Sequence, residues 1–345
     1  MKALFLIAPN RFELRDAPAP QPGPGEALVA VRRVGLCGSD RHYLRPDYPW
    51  DFSRAPMILG HEGAGEIVAL GPDVAGLRPG DRVAIDPARP CRRCEPCHTG
   101  HANCCESMAF LGYPPTPGLL REFIAYPAEC LASDPSGALS LEDLMMLEPL
   151  AIALNAMDLA GFRAGWTAAV FGCGAIGLTL IAALRACGAT AVLAADVRDY
   201  KKPWAERYGA GIFVNPQRDD LEAAARAAGG DGGVHVAFEC AGTVAAQNHA
   251  LRTVRPAGQL VLAGINEEEQ VVLDLARLRR REIAIRVVRR ANETVARALA
   301  LAVRFNLGLA EMITHTYTLE TAEAGLRSFA AYEGGVVKAC VTVAP

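Results

Sequence analysis

The stretch Ala168-Ala-Val-Phe171-Gly172-Cys-Gly174-Ala-Ile176-Gly177 decides how this chain is read. Four apolar residues suited to a buried strand lead into three glycines spaced G-x-G-x-x-G, and the run over 178–187 is apolar at helical spacing. A strand, a tight glycine turn and a helix start, in that order, aim backbone N–H groups at a pyrophosphate. Glycines so spaced also serve plain packing, so the acid that follows adds weight. Asp196 ends the next apolar run, over 191–195, where a carboxylate bonds the hydroxyls of an adenosine ribose. A carboxylate there repels a 2′-phosphate, so NAD is expected over NADP, with Arg198 working slightly against that preference.

Outward from this stretch, the pattern alternates. Helices are predicted around 202–208, 221–228 and 244–254, and strands over 211–214, 234–238 and 259–263, with an edge strand over 282–288. Strands alternating with helices mean a doubly wound parallel sheet, assigned to 150–289. Before residue 149 the chain is rich in Gly, Pro and short alternating runs. Strands over 27–34, 65–70 and 82–85 suggest an all-β body with long loops. A helix over 293–305 and strands over 314–318 and 336–343 are expected to fold back onto it, so that 1–149 and 290–345 make one domain.

A length of 345 residues suits two domains. A chain that is 51% hydrophobic and 21% charged buries a large core, which excludes disorder as its main state. A net charge of −3 gives no basic field, which argues against nucleic acid as partner. The uncharged segment 167–184 is the one candidate for a membrane span, but its three glycines read better as a strand, a turn and a helix start. The apolar run before Pro9 is too short for a signal peptide and fits a first strand. A cytoplasmic protein is expected.

The eleven cysteines are odd in number and, without a signal sequence, suit thiols or metal ligands better than disulfides. Cys91, Cys94, Cys97 and Cys105 offer four thiolates from one lobe, the closed tetrahedral shell of a structural zinc. Cys104 is an alternative to Cys105, and free thiols, a redox pair or a zinc finger flanked by Arg92 and Arg93 are weaker readings. His98 and His101 are expected to face solvent. A second constellation joins Cys37-Gly-Ser39-Asp-Arg-His42-Tyr43 to Gly60-His61-Glu62-Gly63. Cys37, His61 and Glu62 supply three ligands and leave a fourth position open, the mark of a catalytic zinc.

Gly60-His61-Glu62-Gly63-Ala-Gly-Glu66, Cys37-Gly-Ser-Asp40, the four-cysteine lobe, Glu148-Pro-Leu150 and the glycine loop occur together over nearly the whole chain. In this the chain resembles the zinc-containing medium-chain dehydrogenase/reductase family. Within the family it looks most like the polyol branch of sorbitol (L-iditol) and xylitol dehydrogenases, with L-idonate dehydrogenase close by. The resemblance implies an α/β protein with a GroES-like β-rich catalytic domain and a Rossmann domain. It implies two zinc ions per chain, NAD as cofactor, a small polyol as substrate and a homo-oligomer, either tetramer or dimer. By the same resemblance, Glu148 reaches the zinc or its water, and Ser39 and His42 carry the alcohol proton outward. Tyr43 and Arg289 line the substrate and cofactor cleft, Lys201 joins Asp196 at the ribose, and Gly264 and Ile265 lie beside the nicotinamide. Two departures stand out: Arg290 where polyol enzymes often have an aromatic residue, and Asn155 where many relatives have His. L-threonine, L-idonate and inositol-derivative dehydrogenases of the same family are the rival enzymes, and a non-catalytic dinucleotide-binding protein is the rival of another class.

Overall fold

The apolar runs flanking the glycine turn become the strand Thr167–Phe171, buried throughout, and the helix Ala175–Ala186. A continuous apolar strand of this kind needs cover on both faces, and a parallel sheet provides it. The computed structural model describes residues 1–343 apart from Glu267 and Glu269, so the last two residues of the segment 290–345 lie outside the described residues. The chain divides into two units, Met1–Glu148 with Val295–Pro345, and Pro149–Thr294.

In the second unit six parallel strands run in the order Ile212–Val214, Ala191–Ala195, Thr167–Phe171, Val234–Glu239, Val254–Leu262, Ala284–Val287. This is the doubly wound order, reversing between the first and fourth strands to occur. Phe171 pairs with both Ala195 and Glu239, Glu239 pairs with Leu262, and Leu262 pairs with Val287. The strands therefore finish in one row, and the turns that begin at Gly172, Asp196, Cys240, Ala263 and Val288 leave from a single edge. Phe171, Leu193, Ala237, Leu251 and Leu260 belong to the core behind that edge.

Two details differ from the sequence pattern. The first helix starts at Ala175 rather than 178, because Gly174 is its N-cap and Gly177 lies within its first turn. A helix over Leu275–Arg281 was not anticipated. Leu275 is exposed and the rest of that segment is mostly arginine, so it carries no apolar stripe to read. Asp274 caps its start by accepting the Arg277 N–H, and Glu282 ends it in the left-handed conformation. The edge strand consequently begins at Ala284.

In the first unit one sheet runs Leu131–Ser133, Arg82–Ile85, Glu62–Leu70, Glu26–Leu36, Lys338–Thr342, Ile313–Thr318, with Phe123–Pro127 also paired to Glu26–Leu36. The C-terminal strands are thus inserted directly beside the longest N-terminal strand. The body before residue 149 is not all-β as expected, since Leu141–Met145, opened by a Ser140/Asp143 capping box, is a helix, and the C-terminal segment adds the unanticipated helix Ala322–Ala330. The helix Leu147–Leu159 also runs through Pro149, where the pattern marks a boundary. Proline is tolerated in a first helical turn, where its missing N–H has no partner to lose. Among the described residues no helix is long and apolar enough to cross a membrane.

A Cβ on Gly177 would collide with the Gly172 carbonyl oxygen, whereas one on Gly211 would meet nothing. Gly177→Ala should lose about 1–3 kcal/mol in urea unfolding, and Gly211→Ala should lose nothing measurable. Equal stability of the two variants would contradict the close packing of helix on turn.

Candidate metal centres and nucleotide site

Three strand ends build the first centre. Glu26–Leu36 stops one residue before Cys37, Gly35 pairs with Glu62, and Leu36 pairs with Ala339. One step further in that register brings Lys338 opposite Cys37. Ligand atoms of Cys37, His61 and Glu62 lie within 4.8 Å of one another, with His61 and Glu62 buried. Asp40, in the helix Asp40–Tyr43, sets two of them. Its Oδ2 accepts the Cys37 N–H at 2.9 Å, and its Oδ1 faces His61 Nδ1 at 3.6 Å. That leaves Nε2 of His61 for a metal, the usual division of labour when a carboxylate orients a ligating imidazole.

The electrostatics of this cluster call for a cation. Burial first, then Glu62, push the Cys37 thiol up to about 12. Burial raises Asp40, and it raises Glu148 to about 8, with Glu62 and Cys37 adding to the rise in Glu148 and His61 opposing it. Lys338 supplies one positive charge. Its Nζ pairs with Glu62 Oε2 and donates to the Leu36 carbonyl at 3.0 Å, and it is 1% exposed. Burial alone would lower the lysine, but Glu62 and Cys37 raise it. Position 35 is glycine because a Cβ there would collide with Glu62 Oε2. One ammonium among a thiol and three buried carboxyls leaves room for a dication's charge. Thiolate, imidazole and carboxylate together form a donor set that fits Zn²⁺ with a place left for water or an alcohol. The metal's own charge would deprotonate the thiol. Glu148 is not one of the three clustered donors, and its buried Oε2 has no hydrogen-bond partner. It stands beside the cluster and interacts electrostatically with all three donors.

Around this centre, Ser39 is the N-cap residue of the helix Asp40–Tyr43, and the His42 N–H donates to the Ser39 carbonyl at 3.1 Å. Tyr43 is buried, and its ring meets Tyr48 edge-on at 5.0 Å, while Tyr48 stacks on Phe52 at 6.0 Å. Tyr48 thus packs between Tyr43 and Phe52. Phe110 lies 5.5 Å from the His61 ring. Sequence reasoning left Asp40, Phe110 and Lys338 without a role. A single lysine within the apolar run over 336–343 was the signal for the last, since a buried ammonium needs a partner.

The second centre is the cysteine lobe. Cys91, Cys94, Cys97 and Cys105 have all four sulfurs within 4.8 Å of one another. Cys104 is exposed and outside the group, and His98 and His101 face solvent. The Arg93 N–H leads the effects that push Cys91 down to about 6, while burial leads those that push Cys97 up to about 12. Four thiols so spread do not ionise together unaided, and a dication bound by all four removes that barrier.

The turns at the edge of the parallel sheet form the candidate nucleotide site. Gly172 has φ +92° with Ala241 N 2.8 Å from where its Cβ would be, and Gly177 faces Gly172. A Cβ on Gly174 would meet no protein atom, so packing does not require glycine there and a ligand's close approach does. Asp196 Oδ2 accepts the Cys173 N–H at 2.8 Å and Oδ1 accepts the Arg198 N–H at 2.9 Å, which ties the acid to the glycine loop. Lys201 is buried, and burial lowers it to about 8 against the pull of Asp196. Gly264 and Ile265 follow the fifth strand, Ile265 being 61% exposed, and Arg289 is exposed just past the sixth. The two departures from the family pattern are bonded to each other. Asn155 Nδ2 donates to the Arg290 carbonyl at 2.7 Å, and Arg290 is left-handed at φ +54°.

The family model described as alcohol dehydrogenase GroES-like domain matches residues 23–136, and that described as zinc-binding dehydrogenase matches 175–304. The chain is 34% identical to an L-arabinitol 4-dehydrogenase of Aspergillus oryzae over 334 residues, covering 91% of this chain and 85% of that one. It is 30% identical to a sorbitol dehydrogenase of Bacillus subtilis (strain 168), covering 99% and 97%. Among solved structures, an NADP-bound chain from Sinorhizobium meliloti 1021, described as a zinc-binding dehydrogenase, superposes with a TM-score of 0.91. It is 31% identical and 99% of each chain is covered.

Lys338→Met strips the partner from a buried carboxylate and should cost about 3–5 kcal/mol in chelator-treated protein. Added zinc should restore most of that loss, because its charge stands in for the ammonium. A metal-free variant as stable as its parent would show that the ion pair does not hold the centre together. In the lobe, Cys94→Ser should lower the melting temperature well before it lowers turnover per folded molecule, since a structural site contributes folding energy directly. The reverse order would assign the lobe to chemistry.

Proposed function

The chain belongs to the zinc-dependent medium-chain dehydrogenase/reductase family, and on that premise we propose that it oxidises a secondary alcohol of a polyol with NAD⁺, giving a ketose, NADH and a proton. The observation that carries this is the close cluster of Cys37, His61 and Glu62, three donors of the kind that hold a catalytic zinc with a fourth position open. We assign these three to a catalytic zinc, with Glu148 beside its water, and the four lobe cysteines to a structural zinc. Bound zinc supplies Lewis acidity that makes the substrate hydroxyl easier to ionise. We assign Ser39 and His42, one helical turn apart at the start of Asp40–Tyr43, to carrying the hydroxyl proton outward to solvent. Asp40 keeps the imidazole of His61 in place throughout. The loop Gly172–Gly174 and the start of Ala175–Ala186 would hold the dinucleotide by its pyrophosphate, and the bound nicotinamide would supply the hydride acceptor.

The substrate class follows from the polar groups assigned to the pocket. Tyr43 and Glu148 of the first unit offer bonds to hydroxyls, which supports a polyol oxidised next to a terminal CH₂OH, and the family resemblance assigns Arg289 of the second unit to the same substrate. Arg289 followed by Arg290 supports a second reading, an aldonate such as L-idonate. NADH formation over sorbitol, xylitol, L-iditol, L-arabinitol, L-idonate, an inositol, L-threonine and 2-butanol tests both. A pocket built to bond hydroxyls rejects an analogue lacking them by about 10⁴-fold in kcat/KM, so the best polyol should exceed 2-butanol by that order. Faster turnover of 2-butanol or L-threonine than of every polyol and aldonate would overturn the substrate class.

Asp196 supports NAD over NADP, because its carboxylate repels a 2′-phosphate. Asp196→Ser should narrow or reverse the preference in kcat/KM, with Arg198 then free to turn to the phosphate. A parent enzyme that favours NADP would contradict the role given to Asp196. Assembly is read from the edge strand Ala284–Val287, which among the described residues pairs on one side only and leaves Val287 70% exposed; Val272 and Leu275 of the same unit are exposed too. An open apolar edge is a template for a second copy, and we infer a homodimer or a tetramer of such dimers. None of the eleven cysteines is in a disulfide, which supports a reducing, cytoplasmic setting.

A further inference from the structure

Two buried polar side chains of the second unit have no part in the chemistry above. Glu239 closes the strand Val234–Glu239, and Gln247 lies in the helix Val244–Thr253. They are 0% and 2% exposed. The Glu239 carboxylate folds over the turn that follows it, where Oε1 accepts the N–H groups of Ala241 and Gly242, each at 2.7 Å. Its backbone carbonyl accepts the N–H groups of Ala263 and Gly264 at 2.7 and 2.9 Å. One residue therefore grips two turns at the edge where the strands finish.

The turn over 240–243 is wedged between the glycine loop and the turn over 263–266. On one side the Cys240 N–H donates to the Phe171 carbonyl at 2.7 Å, and Ala241 N lies 2.8 Å from where a Cβ on Gly172 would sit. On the other side a Cβ on Gly264 would collide with Gly242 N and come within 2.9 Å of Glu239 Oε2. Gly242 itself is left-handed at φ +69°, with the Ile265 carbonyl filling the space a Cβ would need. A second clamp holds the far end of the same turn: Gln247 Nε2 donates to Asn266 Oδ1 at 2.8 Å. Both residues leave one buried oxygen without a partner, Glu239 Oε2 and Gln247 Oε1. Burial pushes the Glu239 carboxyl up to about 7 despite its backbone donors. A leucine or methionine would fill these positions without such a penalty, so packing alone does not account for the polar pair.

We propose that Glu239 and Gln247 are positioning residues for the dinucleotide, fixing the turn that carries Gly264 and Ile265 at a set distance from the pyrophosphate-binding glycine loop. A dinucleotide anchored by its pyrophosphate then finds its nicotinamide end placed by the second turn, with the turn over 240–243 as the spacer between them. The proposal rests on the reading that this unit binds NAD.

The experiment compares two ligands, NADH by fluorescence titration and ADP-ribose by calorimetry. ADP-ribose keeps the adenosine and pyrophosphate but lacks the nicotinamide. Glu239→Leu and Gln247→Met should each weaken NADH by about tenfold, equivalent to about 1.4 kcal/mol, while leaving ADP-ribose within about twofold. Glu239→Gln, which keeps an oxygen acceptor for the two N–H groups, should bind both ligands as the parent does. Should Glu239→Leu fail to fold, Gln247→Met carries the test, since it keeps volume and removes only polar atoms. Unchanged NADH affinity in the Leu and Met variants, equal loss of both ligands, or a Glu239→Gln as weak as Glu239→Leu would each overturn the proposal. A parent that binds neither ligand would overturn the cofactor reading itself and this inference with it.

Discussion

Cys37, Glu62 and Lys338 meet because three strands of one sheet end at the same level, and the rest of the candidate active site is arranged around the charge they concentrate. A thiol and three carboxyls, those of Asp40, Glu62 and Glu148, sit out of water with a single lysine among them. Such a group is unstable as a set of anions and unremarkable as a set of protonated acids, which is the direction in which Cys37, Asp40 and Glu148 move. A divalent metal changes that balance, because its charge favours the ionised forms that burial disfavours. Lys338 adds a fixed positive charge to the same balance. It takes one oxygen of Glu62 and leaves the other for coordination, and the missing Cβ of Gly35 leaves room for the carboxylate.

In the other unit the constraint is register. The C-terminal ends of the parallel strands share one row, so turns far apart in sequence emerge together. Each turn then needs little length to reach a common ligand. Glycine is required at 172 and 177 by backbone contact and at 174 by nothing in the protein, a division that separates folding from binding within one six-residue motif. Asp196 joins the two, bonding the loop's Cys173 N–H while presenting its carboxylate at the end of the neighbouring strand.

What was legible in the sequence is what depends on local pattern. The strands over Arg82–Ile85 and Ala191–Ala195 could be read to the residue, because each is an apolar run bounded by turn residues. The zinc-type donors were legible from residue chemistry and spacing, and the family resemblance rested on the same residues. The arginine-rich helix Leu275–Arg281 was not legible, because Leu278 alone of its residues packs on the core and the rest of its definition comes from a cap and a left-handed stop. Asp40 was visible in its motif but not its role, which depends on a contact with His61. Lys338 lies 276 residues from Glu62 in sequence, and only the insertion of the last strand beside Glu26–Leu36 brings the two together. The Asn155–Arg290 bond is of the same kind, two departures from a pattern whose connection exists only in three dimensions.

The central claim is that Cys37, His61 and Glu62 hold a zinc ion distinct from the one in the cysteine lobe, and that this ion serves alcohol oxidation. Zinc per chain, measured by atomic spectroscopy on purified parent and on His61→Ala, tests it most directly. The account predicts two zinc ions in the parent and one in the variant, with the variant folded and still able to bind NADH. A parent with a single zinc, or a His61→Ala protein that retains two, would contradict it.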